Sequence, residues 1–440
     1  MTGGRVGFLS MKVTDAFAHL LVVAMLACEC SLFFLSSLPD TFFEICGYNA
    51  KYLSSLFAIF GFLIILLFSF RGRKLPSFAF GVPIAAYVIM CVAMTLVSSF
   101  AYGIALRSVL SVAMPSICIP LLYFALHGMV KDDRLYDFFI QTTIAFAVVY
   151  AALCLAEASG ASIMNETYQF TGMRNGRLRI IVSGDFVTFG AVLALGQAFA
   201  TKKGRVLNSI LFAIMAFELY WVAQTRFLLV ALVVAAVFGF VFCGKNKVIK
   251  VLLVLIAALL LASLFSDDIA SMLFPSDLDV SGKVRVYGYV YYWSHGADLG
   301  LFGLGFIPGG TAQASVLDVG SISGYGMGDI TDVGIVGYLA RYGVCGALLL
   351  ALAVGSFLRA VHDRDRNSFK VSTNPEAWMA LVLFITISPT MAITDAQRIF
   401  YLPILALMVE HALFSGAPSD IGGQRALSDY SLASLGGSLG

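Results

Sequence analysis

The stretch that decides the fold is AKYLSSLFAIFGFLIILLFSFRGRK, from Ala50 to Lys74. Its part from 50 to 70 is apolar and long enough to cross a bilayer, and a basic cluster follows at once. The same pattern recurs along the 440 residues, of which 60% are hydrophobic and 12% are charged, with a mean hydropathy of +0.90. This composition excludes a soluble globular protein and predicts a polytopic membrane protein.

Apolar runs of spanning length predict an all-α fold with about twelve transmembrane helices in one transmembrane domain over 1–440. The first run lacks the cleavage site of a signal peptide, so we expect it to be the first membrane helix. The twelve runs lie at about 16–38, 50–70, 76–99, 108–130, 137–158, 182–201, 206–224, 226–243, 248–265, 331–358, 377–393 and 399–414.

The connections between these runs alternate in charge. Lys and Arg cluster on every second connection, which predicts that these connections are cytoplasmic. Both termini, including the tail at 415–440, are then cytoplasmic as well. The basic connections are RGRK at 71–74, KDDR at 131–134, TKKGR at 201–205, GKNKVIK at 244–250 and RAVHDRDRNSFK at 359–370.

The basic residues on the two predicted sides differ in type. Nine Lys and nine Arg lie inside, whereas the other ten basic residues comprise two Lys and eight Arg. Arginine grips phosphate or carboxylate with a planar fork of donors, so the outer face is predicted to bind an anion. The alternative is that these arginines reach lipid headgroups or pair with Glu166, Asp185 and Asp395. The eight are Arg107, Arg174, Arg177, Arg179, Arg226, Arg285, Arg341 and Arg398.

One outside connection, 266–330, is much longer than the others and contains twelve glycines and seven aspartates. Its aromatic residues from Tyr287 to Trp293 have near-helical spacing, which predicts a short amphipathic helix at the membrane surface. A glycine-rich segment, GLGFIPGG, follows this helix. It is not a nucleotide-binding loop, because no Gly-Lys-Ser/Thr follows it.

Several classes of site are not expected. The basic residues occur in short clusters with no continuous basic face, which argues against nucleic-acid binding. Seven of the eight cysteines fall in apolar runs and only Cys46 lies in an outside connection. We therefore expect no structural disulfide, no metal site and no cofactor.

Several motifs together resemble the bacterial O-antigen ligase and polymerase superfamily. The chain has about a dozen spans, one long loop near its C-terminal third, and AQTRFLLVAL with Thr225 and Arg226. The long loop carries Arg285, Trp293 and GLGF in the family's order. Arg179 with Gly190, and Arg285 with Gly296, are similar to the Arg, ten residues, Gly pattern of some polymerases. The His-Asn pair typical of ligases is absent, and Asp329 and Asp332 stand in that region.

The resemblance implies a glycosyltransferase of the bacterial inner membrane whose 266–330 loop is periplasmic and lies between helices 9 and 10. It implies a polysaccharide polymerase that moves a growing glycan from polyprenyl pyrophosphate to a lipid-linked repeat unit. The expected partners are these lipid-linked oligosaccharides, membrane lipids, and flippase and chain-length regulator proteins. The alternatives are a ligase that transfers the glycan to a lipid A core or a protein, and a secondary transporter of an anionic solute.

The candidate site residues follow from this chemistry. A pyrophosphate leaving group requires positive charge, for which we expect Arg226 and Arg285 first, with Arg177, Arg179 and Arg174 in support. The acceptor hydroxyl requires a base, for which Asp329 or Asp332 is expected and His295 is the alternative. Asp332 is equally compatible with a helix cap, and His295 with interfacial packing. Ionisable residues left without a role are Glu29, Glu157, Glu218, Glu410, His19, His127 and His411.

The topology predicts which positions a membrane-impermeant thiol reagent reaches in intact spheroplasts. Cysteine placed at Asn175 or Ser315 should be labelled, whereas cysteine at Asn246 or Asn367 should be labelled only after lysis. The unsubstituted chain measures the background from its own cysteines. Labelling of the second pair from outside would invert the topology and remove the basis for an arginine-rich outer face.

Overall fold

The computed structural model describes residues 3–38, 50–69, 78–165, 171–174, 177–180, 184–202, 204–243, 248–252, 254, 280–296, 300–309, 311–312, 330–362 and 374–414. The chain is mostly helical. Its helices are α1 Gly3–Glu29, α2 Ala50–Ser69, α3 Gly81–Tyr102, α4 Leu106–Cys118, α5 Leu122–Ala125, α6 Asp133–Ala158, α7 Gly184–Ala200, α8 Arg205–Glu218, α9 Arg226–Phe242, α10 Val280–Gly296, α11 Gly334–His362, α12 Pro375–Ile387 and α13 Tyr401–Phe414.

Among the described residues, six helices are long and apolar enough to cross a membrane, and five shorter apolar helices accompany them. A helical membrane protein is therefore supported. Each of these eleven helices coincides with one of the expected apolar runs. The ninth run, 248–265, lies mostly outside the described residues, so the count of twelve stays a prediction. The six are Ala50–Leu67, Gly81–Tyr102, Leu106–Ala125, Asp133–Ala158, Arg205–Ala223 and Gly334–His362.

The first apolar run does not continue as one helix to 38. α1 ends at Glu29, and the four residues Ser31–Phe34 all have positive φ. The chain then pairs with the segment after α6, where Asn165 N–H donates to Phe34 O at 2.7 Å. This tertiary backbone pairing replaces the hydrogen bonds that a longer helix would have made.

The core is centred on α7. Most of its residues are buried, and it packs against α6, α8, α9 and α12. Gly190 lies at the crossing with α6, where an added Cβ would be 2.2 Å from the Cβ of Ala147. Gly190, which the sequence pattern pairs with Arg179, therefore has a packing role in the fold.

A β-hairpin interrupts the helical fold between α6 and α7, and the all-α prediction did not include it. Strand β1, Thr171–Arg174, pairs antiparallel with β2, Arg177–Ile180. Arg174 is opposite Arg177, and Gly172 is opposite Arg179. Since faces alternate along a strand, positions 174, 177 and 179 share one face of the hairpin and position 180 belongs to the other. Ile180 is fully buried, which fits a hairpin with one face on the core.

Helix α11 is interrupted near its start by Gly343, whose φ of 58° and ψ of −147° are not helical. The loop at 300–309 packs into this break. Leu304 N–H donates to Ala340 O at 2.9 Å, and Gly305 N–H donates to Arg341 O at 2.9 Å. Non-helical backbone inside a membrane protein requires such partners, because unpaired peptide groups there are costly. The loop thus supplies hydrogen bonds that the interrupted helix lacks.

Glycine is required where the loop meets the broken helix. At Gly303, φ is +61° and an added Cβ would be 2.4 Å from Ala340 O. The other side of the contact is Gly343, where an added Cβ would be 2.5 Å from Gly303 N. The glycines of the GLGF segment therefore allow the backbone of the loop to pack closely against the backbone of α11.

Substitution of Gly303 by Ala tests whether close packing requires glycine here or whether the loop accepts a side chain. We expect Gly303→Ala to destabilise the fold by roughly 2 kcal/mol or more, since it combines backbone strain with a backbone clash. The measurement is thermal unfolding of the purified chain in detergent. Gly309→Ala is the matched control, because its Cβ would enter open space at an ordinary φ. Equal melting temperatures for the two variants would contradict the packing of the loop into α11.

Candidate functional site

A buried arginine lies in the segment between α12 and α13, which we call the 388–400 segment. Arg398 Nε is 2.8 Å from Asp185 Oδ2, and its Nη1 donates to Asp395 Oδ2 at 3.0 Å. Arg398 is 6% exposed and Asp395 is 3% exposed. Asp185 is in the first turn of α7, so the guanidinium joins the segment to the central helix. The interpretation that outer arginines pair with nearby carboxylates is confirmed for Arg398.

A second ion pair joins the first two helices to the same segment. Lys51 Nζ lies 2.6 Å from Glu29 Oε2 and donates to Gln397 O at 2.8 Å. Glu29 ends α1 and Lys51 is in the first turn of α2. We call the end of the bundle that holds these residues and Arg398 the outer end, because the predicted topology puts it outside. Glu29, for which the sequence indicated no role, therefore anchors this end.

A small crevice opens at the outer end between the start of α11 and the 388–400 segment. Its cavity volume is about 10 Å³, roughly the space that one water molecule needs. Pockets for small-molecule ligands are much larger, about 300–1,000 Å³, so the crevice is a narrow gap between the two elements. Its lining residues are Ile330, Gly337, Tyr338, Arg341, Tyr342, Ala392, Thr394 and Asp395.

The turn that carries Arg226 has an unusual backbone. A π-helical turn, Leu219–Ala223, ends α8, and Gln224 follows with φ of 48°. Thr225 is extended, and Arg226 begins α9. The Thr225–Arg226 turn lies against the start of α7, where an added Cβ at Gly184 would be 3.8 Å from Thr225 Oγ1. Such π-turns and positive φ angles are frequent at functional sites.

Arg179 reaches this turn from the hairpin. Its Nε donates to Ala223 O at 3.0 Å. The bond satisfies a carbonyl near the end of the π-helical turn, a group that usually needs a partner outside the helix. Arg179 thus has a structural role beside the binding role predicted for it.

Arg285 lies on α10, the helix predicted from the aromatic spacing, and that helix is confirmed. Val286, Val290 and Trp293 are exposed, whereas Tyr292 is buried, so apolar residues lie on the exposed side of the helix as well and its amphipathic character stays a prediction.

The buried side of α10 lies against α11, the turn Ile330–Val333 and the 388–400 segment. Tyr289, one turn after Arg285, donates from its hydroxyl to Pro389 O. Partial burial raises the pKa of the Tyr289 phenol, and the charge of Arg285 opposes this rise. Arg285 is therefore on a helix anchored to the outer end.

The structure brings together some of the candidate residues and leaves others undecided. The helix of Arg285, the turn of Arg226 and the hairpin of Arg179 all adjoin the outer end. Asp329 lies outside the described residues. For four further candidates the structure describes backbone only: Asp332 in the turn Ile330–Val333, His295 in the last turn of α10, Arg174 in β1 and Arg177 in β2. The identity of the base stays a prediction.

Three crevice residues were absent from the predicted site. Arg341 was noted only as one of eight outer arginines, and Asp395 only as a partner for them. Thr394 had no local signal. Because the crevice forms between α11 and the 388–400 segment, about fifty residues apart, no local motif spans it.

Comparison of the chain with protein-family models found no match, and comparison with curated proteins found none either. Its function is therefore inferred from the residues themselves.

Loss of the Arg398 side chain should destabilise the protein far more than loss of an exposed arginine. Arg398→Gln leaves Asp185 and Asp395 without their cation, and removal of one partner of a buried ion pair costs about 3–5 kcal/mol. Arg107→Gln is the control, because Arg107 is exposed at the start of α4. Thermal unfolding in detergent measures the difference. A melting temperature for Arg398→Gln equal to that of the control would contradict the network.

Proposed function

We propose that the chain is a membrane glycosyltransferase, and specifically a polysaccharide polymerase. In this proposal it transfers a growing O-antigen or exopolysaccharide glycan from polyprenyl pyrophosphate to a lipid-linked repeat unit at the periplasmic face of the inner membrane. The observation that carries the proposal is that several arginine-bearing elements adjoin one end of the helix bundle, where the crevice also lies. Arg341 lines this crevice, and the elements of Arg179, Arg226 and Arg285 adjoin the same end.

Positive charge at the outer end suits departure of a pyrophosphate group. When the bond between the sugar and the pyrophosphate breaks, negative charge builds up on the leaving oxygen, and preorganised donors stabilise it. Arg226 and Arg285 are the proposed donors, with Arg174, Arg177 and Arg179 in support. A guanidinium suits this role because it can bind two phosphate oxygens at once.

The acceptor sugar would attack the anomeric carbon through one hydroxyl. A new carbon–oxygen bond forms, the bond to pyrophosphate breaks, and the hydroxyl proton passes to a base. Asp332 is proposed for this base, because its turn borders the crevice through Ile330. Asp329 and His295 are the other candidates. Membrane lipids surround the site, and a flippase and a chain-length regulator are the proposed protein partners.

The position of the described charges favours an interfacial reaction over solute transport. Glu29, Lys51 and Asp185 lie at or near helix ends, and Arg398 lies between two helices. Secondary transporters bind their solutes near the middle of the membrane, commonly at broken helices. Helix α11 is broken, but the 300–309 loop packs into that break. The ligase alternative is less favoured, because the His-Asn pair of ligases is absent.

The guanidinium fork, and not the charge alone, should matter for glycan transfer. Arg226→Lys and Arg285→Lys should each lose most chain extension in a reconstituted assay with lipid-linked repeat units, because lysine cannot bind phosphate in the same bidentate way. Arg107→Lys is the control, since Arg107 is an exposed outer arginine on another helix. Products are separated on a gel, and folding is monitored by detergent melting.

Two outcomes have different meanings. If both lysine variants extend chains normally, these arginines do not bind the pyrophosphate. If the unsubstituted chain extends no lipid-linked repeat unit at all, the proposed polymerase function is wrong.

A further inference from the structure

We infer that Glu376 binds a proton at the inner end of the bundle, opposite Arg398, so that the fold holds this residue as a neutral carboxylic acid. Glu376 is in the first turn of α12 and stands directly before the apolar run 377–393. The predicted topology places the inner end at the cytoplasm. The proton then comes from the cytoplasm, and its binding does not depend on the proposed function.

Glu376 is buried where two helices approach closely. It is 2% exposed, and an added Cβ at Gly196 of α7 would be 2.5 Å from Glu376 Cα. Tyr136 of α6 donates from its hydroxyl to Glu376 Oε1 at 3.3 Å, whereas Oε2 has no hydrogen-bond partner within the described part of the chain. A buried carboxylate with one neutral donor is costly, because a charge away from water needs a cation or several donors. A proton on the carboxyl removes that charge.

The titratable groups beside Glu376 add no positive charge. α6 presents Tyr136 and Asp137, and a charge on Asp137 disfavours a second one on Glu376. α13 presents His411, whose ring stacks on that of Tyr136 at 3.8 Å and whose Nδ1 is 3.3 Å from Val130 O. α7 and α9 contact α12 without titratable side chains, through Gly196, Phe199, Gly239 and Met379.

Basic side chains at the inner end of neighbouring helices are bonded elsewhere or exposed. Arg205 donates to a carbonyl of α7 at 3.0 Å, and Lys250 donates to a carbonyl of α9 at 2.9 Å. Arg359 and His362, in the last turn of α11, are exposed. Among the residues that the structure describes, no cation therefore pairs with Glu376.

These surroundings determine how stability depends on pH. Burial raises the pKa of the Glu376 carboxyl from 4.5 to about 7, and hydrogen bonds from its own backbone and from Tyr136 oppose the rise. In the unfolded chain the carboxyl is exposed and has its ordinary pKa. Folding therefore takes up a proton between about pH 4.5 and about pH 7. The contribution of Glu376 to stability is complete below this window and is lost as the pH rises through it.

A proton on Glu376 stabilises a contact between two helices that the outer end also joins. α7 contacts α12 at Gly196, and its first turn carries Asp185, the partner of Arg398. α12 leads into the 388–400 segment, which carries Arg398. An unpaired charge on Glu376 would weaken the contact of these two helices at their inner end. Cytoplasmic pH thus acts on the helices that hold the outer-end network.

Melting of the full-length chain in lipid nanodiscs at different pH values tests this inference. Glu376→Gln keeps the shape of the neutral acid and cannot ionise. It should melt at the same temperature as the unsubstituted chain near about pH 5 and roughly 2–5 °C higher at about pH 8. Tyr136→Phe removes a donor that favours the charged form, so its loss of stability should extend to a pH about one unit higher.

Glu410→Gln is the matched control, because Glu410 is 1% exposed at the same end but its carboxyl is fully bonded. It accepts from Ala79 N–H at 3.1 Å and from the Tyr123 hydroxyl at 2.5 Å, and His127 Nε2 is 3.2 Å away. Loss of this carboxyl should lower the melting temperature at about pH 8, the opposite of the Glu376→Gln result.

The inference is overturned if Glu376→Gln fails to fold or melts at or below the temperature of the unsubstituted chain at about pH 8. Either result would mean that the fold requires a charged carboxylate at this position. It is also overturned if the two chains differ equally at low and high pH, because the difference would then come from packing and not from a proton.

Discussion

The outer end of the protein depends on the buried guanidinium of Arg398. One cation lies between Asp185 of the central helix and Asp395 of the 388–400 segment, away from water. Burial of these charges is costly unless they remain paired, so the pairing dictates where the segment lies against α7. Lys51 reinforces the same position through Gln397 O. Thr394 and Asp395 reach the crevice because the segment is held in this way.

The other wall of the crevice depends on a backbone constraint. Arg341, Tyr338 and Tyr342 lie immediately before the break of α11 at Gly343. The break leaves peptide groups that the 300–309 loop satisfies, and the contact is close enough to exclude a side chain at Gly303. The packed loop and the broken helix therefore hold this wall of the crevice in place through backbone contacts.

Two further contacts bring arginine-bearing elements to the same end of the bundle. Arg179 and the Arg226 turn are joined through Ala223, and Arg285 is on a helix attached to Pro389. These elements bring cations to the rim of the outer end.

The sequence by itself determined the membrane class, most helix positions, a helix around Tyr287–Trp293 and the concentration of arginine outside the basic connections. These depend on local composition and periodicity, which need no tertiary contact. The hairpin was also readable in principle, because Asn175-Gly176 is a preferred two-residue hairpin turn. Only the tertiary structure decided which carboxylates pair with Arg398, that α1 ends at Glu29, and that Thr394 and Arg341 line the same crevice. Those features arise between segments far apart in the chain. Burial and hydrogen bonding select the partners there, so the partners cannot be predicted from the local sequence.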